Sequence, residues 1–309
     1  MKEKEPILKL EREEEPEIRL KFFFSAHGPK EDYRIFKKEI RDCDVYIPEI
    51  FEHTLEYLKD LRQISLGRLT PSQFEKQIEN KYDLEIPESY KTLLEAIYNS
   101  KKLIYFVDIP KNHGLAKEAK KIESLDWEAF ISYLGGDYSR AINLRTFILE
   151  REAEFSKKRE EYIVNNLIQL KSKIFKECPQ LKRKKQIKIL CSLGATHTPV
   201  YHRIRKRFSA EEIFRFRPTI FLIRDELIRK KRFFPYKILG KKKIAQTFIE
   251  DIVLLTLSEN KLVKNSDELT KLARYFASKF KENEVKNFSE LIAKKYPRIL
   301  LEAKFPVGE

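Results

Sequence analysis

Two histidines and two carboxylates, each at the end of an apolar run, are the residues of this sequence best placed to do chemistry. His27 follows the alternating run Ile18 to Phe24, and Glu49 follows Asp44-Val45-Tyr46-Ile47-Pro48. Asp108 closes Lys102-Leu103-Ile104-Tyr105-Phe106-Val107, and His197 follows Gln186 to Leu193 through Gly194-Ala195-Thr196. Alone, a loop His or Asp is ordinarily just a polar loop residue. Two imidazoles and two carboxylates at successive strand ends are what general acid–base catalysis or a divalent metal requires. His27 or His197 is then the general base or a metal ligand, and Glu49 orients the imidazole or polarises water. If a metal is used, His27, Glu49 and His197 are its ligands. Glu31 is a second carboxylate or a charge at a helix N-terminus. His113, in the loop after Asp108, lines the cleft, whereas His53 reads as a surface residue on the helix after Glu49.

The elements that must position these groups follow from periodicity. Strands are expected over residues 18–24, 44–49, 102–110 and 186–193, where apolar residues alternate or run unbroken. Helices are expected over 31–41, 50–64, 88–99, 117–134, about 140–174 and 244–257, with two more in the last fifty residues. Thr70-Pro71 marks another helix start, with Thr70 as N-cap and Pro71 at the first helical position. Strands separated by helices imply an α/β fold with a mainly parallel central sheet covered by helices. The α/β core is expected over residues 1–207, with a helical insertion at about 50–100. A basic, mainly helical C-terminal region over 208–309 packs on it. In such sheets ligands sit beyond the carboxyl ends of the strands, where the four candidates lie.

The order of these motifs resembles the erythromycin-esterase/TraB/Tiki (ChaN-like) superfamily from about residue 18 to 202. Ser25-Ala26-His27-Gly28-Pro29-Lys30-Glu31 is similar to the His-Gly-x-x-Glu motif of the esterases, and Glu49 sits where that group has its acidic residue. Arg159-Glu160-Glu161-Tyr162-Ile163-Val164-Asn165-Asn166 is similar to the Arg-Asp-x-x-Met-Ala-x-Asn helix before the last catalytic strand. Gly194-Ala195-Thr196-His197 matches the Gly-x-x-His motif of the TraB and Tiki branches. The resemblance implies a hydrolase in which water attacks a carbonyl or similar centre. It adds Arg159 as a holder of an oxyanion, carboxylate or phosphate, and Asn166 as a binding residue. The chain mixes features of both branches. Phe24 stands where the esterases carry Glu, Gly194 where they carry a second His, and Phe24-Ser25-Ala26-His27 where Tiki-type proteins repeat Gly-x-x-His. Neither branch's substrate therefore transfers.

Charge supplies a second line. The 309 residues carry a net charge of +15, yet residues 171–243 alone hold 23 Lys or Arg against five Asp or Glu. Cations and aromatics interleave at Arg203, Arg205, Lys206, Arg207 and Phe208, and again at Arg229, Lys230, Lys231, Arg232, Phe233 and Phe234. This is either a solvated face or a surface for nucleic acid, anionic lipid or another polyanion. Two functions of different class follow. One is an esterase- or peptidase-like hydrolase for a small molecule or peptide, using a His/Glu site with or without a divalent metal. The other is a catalytically inactive α/β protein that binds a polyanion through residues 171–243. Three cysteines without close spacing argue against a disulfide framework or a cysteine-held zinc ion. With no long apolar run and no apolar leader after Met1, a cytoplasmic chain is expected. Gly-x-x-x-x-Gly-Lys, Gly-x-Gly-x-x-Gly and Gly-x-Ser-x-Gly motifs are all missing from the sequence.

Overall fold

Ile18, Leu20, Phe22 and Phe24 point to one side of their segment, and this period of two draws it into a strand. In the computed structural model, which describes residues 15–25, 30–82, 88–215, 221–259 and 266–295, that strand is β1 (Glu17–Ser25). With β2 (Val45–Ile47), β3 (Leu103–Ile104), β4 (Gln186–Gly194) and β5 (Ser209–Arg215) it forms a five-stranded sheet in the order β3-β2-β4-β1-β5. Every pairing is parallel. β1 and β4 run in unbroken register from Glu17 opposite Gln186 to Ser25 opposite Gly194, so both strands end level.

Burial on both faces explains the apolar content of β1 and β4. One face presents Phe23, Tyr46, Ile104 and Leu190 to α1 (Lys30–Asp42), α2 (Leu55–Ser65), α3 (Pro71–Tyr82) and α4 (Glu88–Ile97). Thr70 caps α3 as expected, its Oγ1 accepting from the Gln73 amide at 3.2 Å. The opposite face presents Phe22, Phe24, Ile189, Cys191 and Leu193 to the C-terminal half of α6 (Tyr138–Glu177) and to α7 (Thr198–Ile204). A buried Leu or Phe of this kind contributes about 1.5–3 kcal/mol.

α6 is 40 residues long, which at 1.5 Å per residue is about 60 Å. Its N-terminal half leaves the sheet and builds a second core with α5 (Gly114–Leu134), α8 (Ile223–Phe233), α9 (Lys241–Glu259), α10 (Ser266–Lys279) and α11 (Glu282–Lys295). Gly136 turns α5 into α6 at φ 81°, and a Cβ there would lie 3.2 Å from that of Ala293. Asp137 then caps α6, accepting from the Arg140 amide at 3.1 Å. Inside this core Arg145 is wholly buried, paired with Asp126 at 2.9 Å and Asp251 at 2.7 Å and stacked over Phe248.

Four expected elements differ. The strand over 102–110 is only two residues long, although Tyr105 still donates to the Tyr46 carbonyl at 3.1 Å. Its neighbour β2 stops at Ile47 because Pro48 has no amide to donate. The helix expected from Ile50 begins at Leu55, capped by Thr54, after a turn in which Glu52 takes φ 56°. His53 therefore lies off the helix, in a parallel bridge with Pro110. Residues 209–215, expected to be helical, are the edge strand β5, held to β1 by an Arg19–Glu211 ion pair of 2.9 Å. Among the described residues no helix is long and apolar enough to cross a membrane.

Candidate active site at the carboxyl edge of the sheet

The level ends of the central strands place their exit loops side by side, and the middle of α6 crosses above them. Glu49 leaves β2 and turns toward β4, where one carboxylate oxygen accepts the Gly194 amide. Asp108 follows β3, is 1% exposed, and accepts the amide of Ile109 at 2.8 Å. His197 ends a short 3-10 turn, Ala195–His197, directly after β4 and is 5% exposed. Arg159 and Glu160 descend from α6 into this group.

Arg159 ties the carboxylates together. Its Nε donates to Asp108 Oδ1 at 3.0 Å, and one terminal nitrogen reaches Asp108 Oδ2 at 2.5 Å and Glu49 Oε1 at 2.9 Å. Its guanidinium also stacks over Phe51, 5.0 Å from the ring centroid. Burial alone would make Arg159 easier to deprotonate, but Asp108 and Glu49 outweigh it and hold the cation. The guanidinium is thus a clamp on two protein carboxylates.

His197 lies between two acids. Its Nε2 is 3.2 Å from Glu49 Oε1, and its Nδ1 faces Glu160 Oε1 at 3.7 Å. The second distance is too long for a hydrogen bond but short enough for the carboxylate to favour imidazolium. Burial pulls the His197 pKa down, and Glu160 and Glu49 overcome it, leaving the imidazole raised to about 8. Glu160 is itself 2% exposed and accepts from Arg232 of α8 through its other oxygen. Next to the His197 turn lies a cleft of about 200 Å³ lined by Ser156, Thr196, Thr198, Asp225, Arg229 and Arg232, among others.

Of the residues singled out in the sequence, Glu49, Asp108, Arg159 and His197 therefore meet. His27 lies outside the described residues, as does the side chain of Glu31, whose backbone lies in the first turn of α1. Asn166 stands apart from the cluster. It donates to the Val107 and Tyr162 carbonyls at 3.2 Å each, propping the segment that carries Asp108. His113 caps α5 by accepting the Leu115 amide at 3.1 Å and packs against Tyr162. His53 places Nε2 2.8 Å from the Asp108 carbonyl and supports the site from behind.

Glu160 and Arg232 were not anticipated as partners here. Glu160 had a readable signal, since it lies three, four and seven residues before the buried Ile163, Val164 and Leu167, an acid on an apolar stripe. Arg232 had none, because only tertiary packing brings α8 to α6. The basic quartet of α8 is largely engaged internally. Arg232 pairs with Glu160, Lys231 reaches Glu150 at 2.6 Å, and Arg229 stacks on Phe221, while Lys230 is half-buried. Around α7, Arg203 lies 4.0 Å from Glu161 and Arg205 over Tyr201, with Lys206 and Arg207 exposed.

The described part of the donor set, which leaves out His27, does not fit a divalent metal. Among the described residues no group of three or more His, Cys, Asp or Glu is disposed to hold one. Arg159 contacts both Glu49 and Asp108, and Arg232 takes Glu160, so cations of the chain already occupy the acids. Compared with protein-family models, curated proteins and solved structures, the chain finds no match.

Proposed function

We propose that the chain is a hydrolase of esterase or peptidase type in which His197 moves the proton. The observation that carries this reading is the convergence of Glu49, Asp108 and His197 with Arg159 from α6 in one buried cluster beside a cleft. Near neutral pH His197 is held as imidazolium, so it is poised to donate a proton to a leaving group or to a developing oxyanion. Once it has given up that proton, the neutral ring can accept one from water in a second step. Glu49 fixes the ring, and Arg159 fixes Glu49. The resemblance of Gly194-Ala195-Thr196-His197 and of the Arg159 helix to the erythromycin-esterase/TraB/Tiki superfamily supports the same reaction class.

A broad screen of carboxyl esters and short peptides tests it. An activity found with the unaltered chain should fall at least about a hundredfold in His197→Asn, the low end of what a positioned acid–base group supplies. Glu49→Gln should lose a comparable amount, with circular dichroism unchanged. Activity that survives His197→Asn would refute the assignment.

A further inference from the structure

The turn between α8 and α9 displays Phe233, Phe234, Tyr236 and Ile238 at 60, 61, 98 and 88% exposure within six residues. The turn is anchored. Leu239 is buried in the second core, the backbone amide of Lys237 donates to the Phe234 carbonyl at 3.0 Å, and the Lys231 ammonium donates to the Pro235 carbonyl at 2.9 Å. These apolar side chains are therefore held outward by a defined backbone. Cations flank them. Lys237 is exposed within the turn, and Lys241, Lys242 and Lys243 open α9 with no acid in its first turn. Only Lys243 of these four has a carboxylate within ion-pair distance among the described residues, Glu226 at 3.1 Å. Lysines at a helix N-terminus oppose its dipole, and four large apolar side chains in water are unfavourable. Both costs fall when the tip meets an anionic surface with an apolar interior.

We propose that residues 233–243 form a membrane-docking tip. Phe234, Tyr236 and Ile238 enter the boundary between headgroups and acyl chains of a bilayer rich in anionic lipid, and Lys237, Lys241 and Lys242 lie on the headgroups. Because no described helix is long and apolar enough to cross a membrane, this contact is superficial. Single-stranded nucleic acid also uses cations and rings, but it needs rings as stacking platforms. Ile238, an aliphatic side chain 88% exposed, adds nothing to stacking and much to an acyl contact. Arg229, Lys231 and Arg232, which would extend a nucleic-acid path along α8, are engaged with Phe221, Glu150 and Glu160.

Flotation of the full chain with vesicles of phosphatidylcholine, with and without phosphatidylserine, tests the proposal, with a single-stranded RNA oligonucleotide as the competing ligand. Binding should require phosphatidylserine and weaken with salt. Lys237→Glu, Lys241→Glu and Lys242→Glu together should weaken it at least about a hundredfold, since each juxtamembrane cation contributes about fivefold. Phe234→Ser, Tyr236→Ser and Ile238→Ser together should weaken it at least about tenfold with the charge unchanged. All six positions are exposed, so circular dichroism should report an intact fold. Reversing Lys281, Lys286 and Lys295, exposed on and beside α11, should change binding by less than about threefold. Equal binding to neutral vesicles, no binding to either vesicle, or an apolar triple variant that binds like the parent would each overturn the proposal. So would capture of the oligonucleotide in preference to the vesicles.

Discussion

Replacing His197 with Gln should remove a stability term that depends on pH in a direction set by its surroundings. The imidazole is raised from 6.5 to about 8, because Glu160 and Glu49 outweigh the effect of burial. Below about pH 6.5 both folded and unfolded chains carry the proton, and the folded state holds the full advantage. As pH rises through about 8 the folded chain loses its imidazolium and the advantage disappears. Raising the ring by this amount is worth about 2 kcal/mol. Urea unfolding of the parent and of His197→Gln at about pH 5.5 and about pH 9.5 reads it directly, because titrations common to both chains cancel. The gap in unfolding free energy between the two should be larger at acid pH by about 2 kcal/mol. With five histidines in the chain, the His197 resonance can also be followed by NMR. A gap independent of pH, or a ring that titrates at or below 6.5, would refute the electrostatic description of the site.

Arg159→Met strands the Glu49 and Asp108 carboxylates in a buried setting and should cost about 3–5 kcal/mol in urea unfolding, with Asp108→Asn in the same chain recovering part of the loss. Arg145→Met should also destabilise, because it removes the ion-pair partner of Asp251, while Asp126 keeps Arg224 at 2.7 Å. Burial pushes all three thiols up, but Cys43 and Cys191 are buried and Cys178 is half-buried, so a thiol reagent should modify Cys178 first and slowly in the native chain and all three cysteines after denaturation.

The sequence exposed the sheet where its own pattern was strong. Ile18 to Phe24 and Gln186 to Leu193 carry enough alternating or unbroken apolar character to be strands whatever surrounds them. The carboxyl ends of the four expected strands pointed to Glu49, Asp108 and His197, because a parallel sheet forces such ends to one edge, and to His27, which lies outside the described residues. Residues 209–215 were not legible. Ser-Ala-Glu-Glu-Ile-Phe-Arg lacks alternation, and its strand conformation comes from β1 offering a free edge and from Phe214 stacking on Phe23 at 4.9 Å. The partners of His197 were hidden for the same reason, since Arg232 is 72 residues from Glu160 and meets it only when α8 packs on α6. Internal pairing of cations was not legible either. The quartet Arg229 to Arg232 reads as a cationic surface, but three of its members contact groups of the chain itself.

The strand order also bears on how the chain is made. β1, with three consecutive phenylalanines, hydrogen-bonds only to β4 and β5, and not to the strand that follows it. At a ribosome adding about 5–20 residues per second, the roughly 170 residues between the end of β1 and the end of β4 take on the order of ten seconds or more. Throughout that interval Phe22, Phe23 and Phe24 have no strand beside them. Arg19 and Lys21, interleaved in the same strand, are placed to discourage pairing between nascent chains. An inner strand that precedes its partners by this much is the segment where slowed translation or a lack of chaperone should lower the yield of native protein, which expression at different rates would measure.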